Sequence, residues 1–562
     1  MKKSTYLLIT ISFISYFISL LIFKFDTNFT YRWPALYLSI LPLLLIVLLW
    51  IFSLVPYKNV LVSINLYGFL AIFALAITSR FIFLTSYPYV SVGDEVRDGG
   101  LYALEIATGQ IKNIFDYLQY YGAGLIIPTI TSVFYKIFGN SVLTYRIPAA
   151  LVSVLDVVLF YLLLSLLTKN KLACFLGAIV LVSLPLHLFY SRTEIAVILS
   201  SLFSTLILLG LFIFLRRRTT NVIDYIFLGA LLGFTFNLHG DIIVFALMAL
   251  TNILLITFWQ WFSGRLELSQ FGIKLLLLTF FLLVGFGPRL LNTTPEIFFR
   301  AHRVPFFSTE KQSDLNSYDI KSIAEKYKRS LLVWITEPTN AWYPDHKPIF
   351  PPLLFSFMIL GVFVGITRKN LYLIFVFFVT LVLHATNSAL TDILNGDHRL
   401  VPLYPIGTLF VGVGMAFLID KIKLRLFQYI LAFALFIFLF YQTTLFFINQ
   451  PANKNKDIGD YLSMHTIYFI KENDDLIKSN NLILFVSMFN YQKLNLLHYK
   501  QQYAFFFPAA NFTIEKDETI KDNEIYIKNS KYDFWGKDYI IECGGKSYYC
   551  PIGYRTNIVI HY

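Results

Sequence analysis

Charge is what this sequence has least of: only 14% of its 562 residues are Asp, Glu, Lys or Arg. Soluble domains carry about a quarter, so a chain solvated mainly by water is excluded. The residues present agree, with 57% hydrophobic and a mean hydropathy of +0.64. Cysteine is nearly absent, at three positions: Cys174, Cys543 and Cys550. Cys543 and Cys550 close "CGGKSYYC", but a zinc site would need two further ligands at suitable spacing, and none is evident. No small-residue cleavage site follows the apolar start "MKKSTYLLITISFISYFISLLIF", which reads as a retained first helix rather than a signal peptide. Internal repeats and convincing mid-span charge pairs are also missing, which counts against a transporter.

The formal charge of +12 could suggest nucleic acid. The basic residues instead form short clusters between apolar runs, such as "RRRTTN" at 216–221 and "DKIKLR" at 420–425. That is the pattern of cytoplasmic membrane loops, and it excludes a nucleic-acid partner.

A span needs about 20 mostly apolar residues. Such runs occupy 5–23, 34–55, 60–84, 145–167, 172–189, 195–215, 222–238, 242–262, 273–291, 350–366, 371–388, 400–419 and 424–447. The apolar segment 122–139 is short, contains Pro128 and ends near Lys136. If it lies in the outer interface, the basic clusters at 2–3, 58, 169–171, 216–218, 265–274, 368–369 and 421–425 share one side. If it spans, they do not. The expectation is therefore a polytopic α-helical membrane protein with about 13 spans. Its N-terminus is cytoplasmic and a small C-terminal α/β domain lies outside.

Three parts follow: extra N-terminal helices over 1–59, a transmembrane catalytic domain over 60–449, and a soluble extracytoplasmic domain over 450–562. The tail predicts a helix over 457–476 and strands at 482–489, 524–528, 538–543 and 557–562. Outside the membrane, Cys543 and Cys550 are expected to form a disulfide. Cys174, within a span, reads as a small packing residue.

Polar chemistry gathers on the outer side, in the loops 85–144 and 292–349 and in short turns. The first loop opens with "SVGDEVRDGG" at 91–100, which sets Asp94 and Glu95 just beyond an apolar run. Adjacent acids in a loop are usually just solvated. At an apolar boundary, one of the pair is suited to take a proton from an incoming hydroxyl. Arg146, Arg192 and Arg399 each fall at the outer end of a span. They read either as residues snorkelling to headgroups or as a clamp on a lipid phosphate. His239 and Asp241 read as a polar turn, a ligand pair or a proton relay, and Tyr404 as a further site-lining residue.

The order of these features resembles the GT-C glycosyltransferases, in particular the family of protein O-mannosyltransferases and lipid A aminoarabinose transferases. The likeness lies in Asp94-Glu95, then "LYALEIATGQ", Phe138-Gly139, Arg146-Ile147-Pro148, Pro185 with Ser191-Arg192, and "RLVPLYP" at 399–405. It covers roughly 60–447. The chain departs from the family in having only Pro128 where a Pro-Pro pair is common, and Val197 where many members have an acid.

The resemblance implies an inverting transfer on the non-cytoplasmic face from a polyprenyl-phosphate sugar to a lipid, glycan or protein. Asp94, tuned by Glu95, would act on the acceptor, and the arginines would hold the donor phosphate. No metal ligand set is assigned, and a divalent metal requirement stays open. A polysaccharide or lipid-linked-oligosaccharide transporter or flippase is the alternative.

Overall fold

In the computed structural model the described residues are 3–25, isolated positions from 38 to 51, most of 65–452 apart from short gaps and the stretches 112–125 and 293–319, and seven strands between 461 and 560. The chain is mostly helical. Helix α1 covers Lys3–Phe25 and α2 covers Leu66–Phe81. Strand β1 (Val90–Val92), helix α3 (Tyr102–Thr108) and helix α4 (Ile126–Phe138) follow in the first large loop region. The bundle then runs through α5 (Val142–Leu167), α6 (Lys171–Ser183), the short α7 (Pro185–Tyr190), α8 (Ile198–Arg216) and α9 (Val222–Thr235). It continues with α10 (Ile243–Phe262), α11 (Leu268–Asn292), α12 (Ile320–Leu332) and α13 (Pro352–Thr367). Helices α14 (Leu371–His384), α15 (Leu403–Lys421) and α16 (Arg425–Ala452) complete it, with a π turn at Ala385–Ala389 after α14.

Among the described residues, seven helices are long and apolar enough to cross a membrane, and six apolar helices are shorter. The expected span 34–55 falls mostly outside the described residues. The span expected at 172–189 divides into two helices. Leu184 is extended, and Pro185, which has no N–H to donate, starts the next helix. Helix α4 has 13 residues, a length of about 20 Å that is too short to span. It buries Ile127, Thr131 and Tyr135 while Val133, Ile137 and Phe138 stay exposed.

Small residues bring the helices together. Lipid gives apolar helices no hydrophobic reason to associate, so close backbone contact must do it. A Cβ added at Gly233 of α9 would collide with the Leu282 carbonyl of α11, and one at Gly361 of α13 with the Phe410 carbonyl of α15. The ends of the bundle differ in chemistry. One end carries Arg217 against Asp224 at 2.6 Å and Asn170 bonded to Asp420 at 2.6 Å. There Trp50, from the region before α2, stacks on Phe227 at 4.0 Å and donates to Asp224 at 3.0 Å. The opposite end holds the candidate site.

Beyond α16, strand β2 (Tyr461–Ser463) pairs antiparallel with β1, Val90 opposite Ser463. The helix expected over 457–476 is therefore interrupted by extended backbone at 461–463, which finds its partner in the distant first loop. The remaining strands are β3 (Asn481–Val486), β4 (Phe512–Glu515), β5 (Glu524–Asn529), β6 (Tyr539–Cys543), β7 (Lys546–Cys550) and β8 (Thr556–Ile560). Strands β4, β3, β5 and β8 form one sheet in that order, and β6 with β7 a hairpin. The hairpin register corrects the expected disulfide. Cys550 lies opposite Tyr539 and Cys543 opposite Lys546. At about 3.3 Å per residue the two Cα atoms are separated by roughly 13 Å, well past the ~7 Å limit for a bridge.

Candidate functional site

Helix α2 ends at Phe81, and the last carbonyls of any helix lack partners within it. In an apolar surrounding each such orphan costs several kcal/mol. Arg192 supplies the missing donors. Its Nη1 donates to the carbonyls of Ser79 and Arg80, both at 2.9 Å, its Nη2 to Ile82 at 2.6 Å and its Nε to Tyr87 at 3.1 Å. Its guanidinium also lies 5.1 Å over the Phe447 ring, and its positive charge suits the helix C-terminus.

Arg146, near the start of α5, grips the continuation of the same segment. Nε donates to Glu95 Oε1 at 2.8 Å and Nη2 to Oε2 at 3.4 Å, while Nη1 reaches the carbonyls of Leu84 and Pro88. This is the two-pronged match of guanidinium and carboxylate, made with both side chains fully buried. Glu95 is thereby a structural anion facing inward. Its neighbour Asp94 lies outside the described residues.

These contacts correct the phosphate clamp expected of Arg146 and Arg192. Neither is exposed, and both are spent on protein acceptors. They hold the loop that carries the acids. Arg399, in the single 3₁₀ turn Asp397–Arg399 before α15, is partly exposed.

A third buried arginine belongs to a network that sequence reasoning missed. Arg80 Nη2 donates to His187 Nδ1 at 2.9 Å, and His187 Nε2 lies 3.1 Å from Asp156 Oδ2. Ser201 and Thr205 also donate to the Asp156 carboxylate. Sequence reasoning saw no convincing mid-span charge pair, yet here Arg80 and Asp156 are balanced across a bridging imidazole. The three side chains are fully buried and mutually satisfied, so the network joins α2, α5 and α7 rather than opening a path. The available signal was Asp156 itself, a lone acid inside a long apolar run, which has to find a partner.

The second half of the site is built from short turns. His239 Nδ1 lies 3.1 Å from Asp241 Oδ1, and Ser200 donates to that same oxygen at 2.6 Å. The rings of His239 and His398 are 6.2 Å apart. Asn387, in the π turn, donates to the carbonyls of Asp241 and Arg399 and so ties the two turns together. Tyr404 is buried and donates to the Asp397 carbonyl at 2.9 Å, so it supports the turn from below. Burial lowers the His398 imidazole below its ordinary value, which keeps it neutral at pH 7. Asp397, next to the residue singled out from "RLVPLYP", was also missed. Among the described residues no group of three or more His, Cys, Asp and Glu side chains is placed to hold a metal ion.

A multi-pass helical membrane protein is the class these features define. Residues 123–286, less than half of the chain, match the family described as dolichyl-phosphate-mannose-protein mannosyltransferase. That match bears out the resemblance to GT-C membrane glycosyltransferases. Two crystal structures of ArnT from Cupriavidus metallidurans are similar at 12% identity and a TM-score of 0.47. The one bound to undecaprenyl phosphate covers 81% of this chain and 87% of its own; the apo one covers 80% and 86%. No curated protein matches the sequence.

Proposed function

We propose that the protein is an integral membrane glycosyltransferase that moves a sugar from a polyprenyl-phosphate donor to an acceptor on the non-cytoplasmic face. One observation carries this reading: the backbone that leads into the acid-bearing loop and the Arg399 turn are braced by the same short stretch of chain. From α7 and the residue pair after it, Arg192 holds the 79–87 backbone while Tyr190 donates to Asp397 at 2.6 Å. Arg399 and the pinned Glu95 are both held by buried contacts, and transfer from a lipid phosphate needs a cation for the phosphate and a base for the acceptor. The family matched over 123–286 is itself described by such a donor.

In the proposed reaction Asp94 accepts the proton of the acceptor hydroxyl as its oxygen attacks the anomeric carbon. The bond from that carbon to the phosphate oxygen breaks, and the configuration inverts. The lipid phosphate leaves as an anion, and Arg399 stabilises its charge. Glu95, the next residue in the sequence after Asp94, is pinned by Arg146. The acceptor is a lipid, glycan or protein hydroxyl.

The test is an assay of purified protein with labelled polyprenyl-phosphate sugars, read as release of free polyprenyl phosphate. Release with transfer of label supports the enzyme. Movement of intact labelled lipid between leaflets without release would identify the flippase alternative.

A further inference from the structure

Asp397 collects bonds from four separate parts of the chain. Its Oδ1 accepts from the Tyr190 hydroxyl at 2.6 Å and from the His398 N–H at 2.7 Å. Its Oδ2 accepts from the backbone N–H of Tyr343, in the second large loop region. Its carbonyl accepts from Tyr404. Its own N–H donates to the Asn340 carbonyl at 2.8 Å, and the Asn340 N–H donates to Asn395 at 2.9 Å. The strip around Asn340 is thereby stitched to the strip around Gly396 as a short parallel bridge.

A fully buried carboxylate is costly unless its oxygens are occupied, and here each oxygen accepts from a backbone N–H, which can only donate. Two of the three donors are backbone N–H groups. They fix the orientation of the carboxylate, which in turn sets the turn Asp397–Arg399 from its first residue. The guanidinium that turn presents is two residues away.

We propose that Asp397, oriented by Tyr190, is a positioning residue that aims Arg399 at the donor phosphate, so that donor affinity is set through a carboxylate that never touches the donor. This deepens the function proposed above and rests on it. It also assigns a task to the second loop: docking of the strip at Asn340 and Tyr343 completes the phosphate-holding turn.

Asp397→Asn cannot reproduce the arrangement in either orientation of its amide. With the amide oxygen at Oδ1, its NH2 faces the Tyr343 N–H; with the amide turned over, it faces the His398 N–H. Donor meets donor in both cases. Tyr190→Phe is milder, since it removes one of three donors and leaves the backbone bonds in place.

The measurement is binding of undecaprenyl phosphate to the full-length protein in detergent, together with donor KM and kcat. Tyr190→Phe is expected to weaken lipid-phosphate binding and raise donor KM by about three- to ten-fold, and Asp397→Asn by about ten-fold or more. Because Arg399 also stabilises the departing phosphate, kcat at saturating donor is expected to fall for Tyr190→Phe by no more than donor affinity does. In an Arg399→Ala background, Tyr190→Phe should cost nothing further, because it acts through Arg399. Additive losses in the double variant would overturn the proposal. So would wild-type affinity in both single variants, or a fall in thermal stability and kcat with donor affinity unchanged. If wild type binds and Arg399→Ala does not, while the two variants bind normally, only this proposal falls. If wild type does not bind, the proposed function falls with it.

Discussion

Arg146 Nε lies 2.8 Å from Glu95 Oε1, and neither side chain is exposed. An ion pair this deep is held by geometry, and removing one member leaves a bare charge. Arg146→Met should therefore cost about 3–5 kcal/mol, read as a lower unfolding temperature in detergent. Glu95→Gln should cost less, because its amide oxygen still accepts from the guanidinium. The double variant Arg146→Met with Glu95→Gln should be more stable than Arg146→Met alone. If the second change makes matters worse, the pair is not what holds the loop.

Arg192→Ala is expected to act on the fold first. It strands four carbonyls, the buried pair at Ser79 and Arg80 at the end of α2 and the part-buried pair at Ile82 and Tyr87 just beyond it. With about 1–3 kcal/mol for each buried group left unmade, the loss should reach about 3 kcal/mol or more even after water enters. Arg192→Lys should recover only part of it, since an ammonium cannot fork to as many acceptors. Thermal stability with undecaprenyl-phosphate affinity measured on the folded fraction decides the matter. Full stability with lost affinity would restore Arg192 to the phosphate.

The way these arginines were misread shows what a single sequence discloses. Apolar runs near 20 residues are visible without any structure, and α5, α8, α10, α14, α15 and α16 all fall where those runs do. An arginine at the end of a run is equally visible, but its partner is not. The carbonyls that occupy Arg192 lie more than 100 residues earlier, at Ser79 to Tyr87. Backbone acceptors leave no mark in a sequence. Asp156 left one, as an isolated acid among apolar residues, but its bridge through His187 to Arg80 depends on the helix break at Leu184 and the new start at Pro185. The Cys543–Cys550 spacing suited a bridge until the hairpin register set the two cysteines at opposite ends. Asp397 sat beside Arg399 and drew no attention because solvated aspartates are common in turns.

His398 gives a pH test. Burial lowers its pKa from the ordinary 6.5, with Asp397 pulling it up and Arg399 and His239 pushing it down. A lowered histidine contributes stability that is fully present above about pH 6.5 and is lost as pH falls from there through the lowered value. The difference in stability between wild type and His398→Gln should therefore be constant above pH 7 and shrink as pH drops below 6.5. Unfolding temperatures of both proteins across pH 5–8 measure it. A difference that grows on acidification would mean that the imidazole is stabilised as a cation.

The proposed topology places the C-terminus outside the cytoplasm, because the basic clusters mark the other face. A reporter active only in the cytoplasm, fused after Tyr562, should be silent. Activity there would put the Arg399 turn on the cytoplasmic face and remove the outer-face reaction.

Asp94→Asn is the sharpest test of the chemistry. The substitution keeps the size and hydrogen-bonding capacity of the side chain and removes only its ability to take a proton. If Asp94 is the base, turnover should fall by about 10² to 10⁴, the scale of a positioned general base. Donor affinity should be retained, since Arg399 holds the phosphate. Glu95→Gln should lower turnover less, because Glu95 faces inward onto Arg146 and acts through backbone position alone. Its effect should follow its loss of stability, whereas that of Asp94→Asn should not. Both variants are compared with wild type at saturating donor, with expression and unfolding temperature matched. Should Asp94→Asn turn over normally while Glu95→Gln is dead, the buried pair with Arg146 would have to open during catalysis. Should both turn over normally, the acids are a structural loop and the proton must go elsewhere, with the His239–Asp241 pair at 3.1 Å the next group to replace.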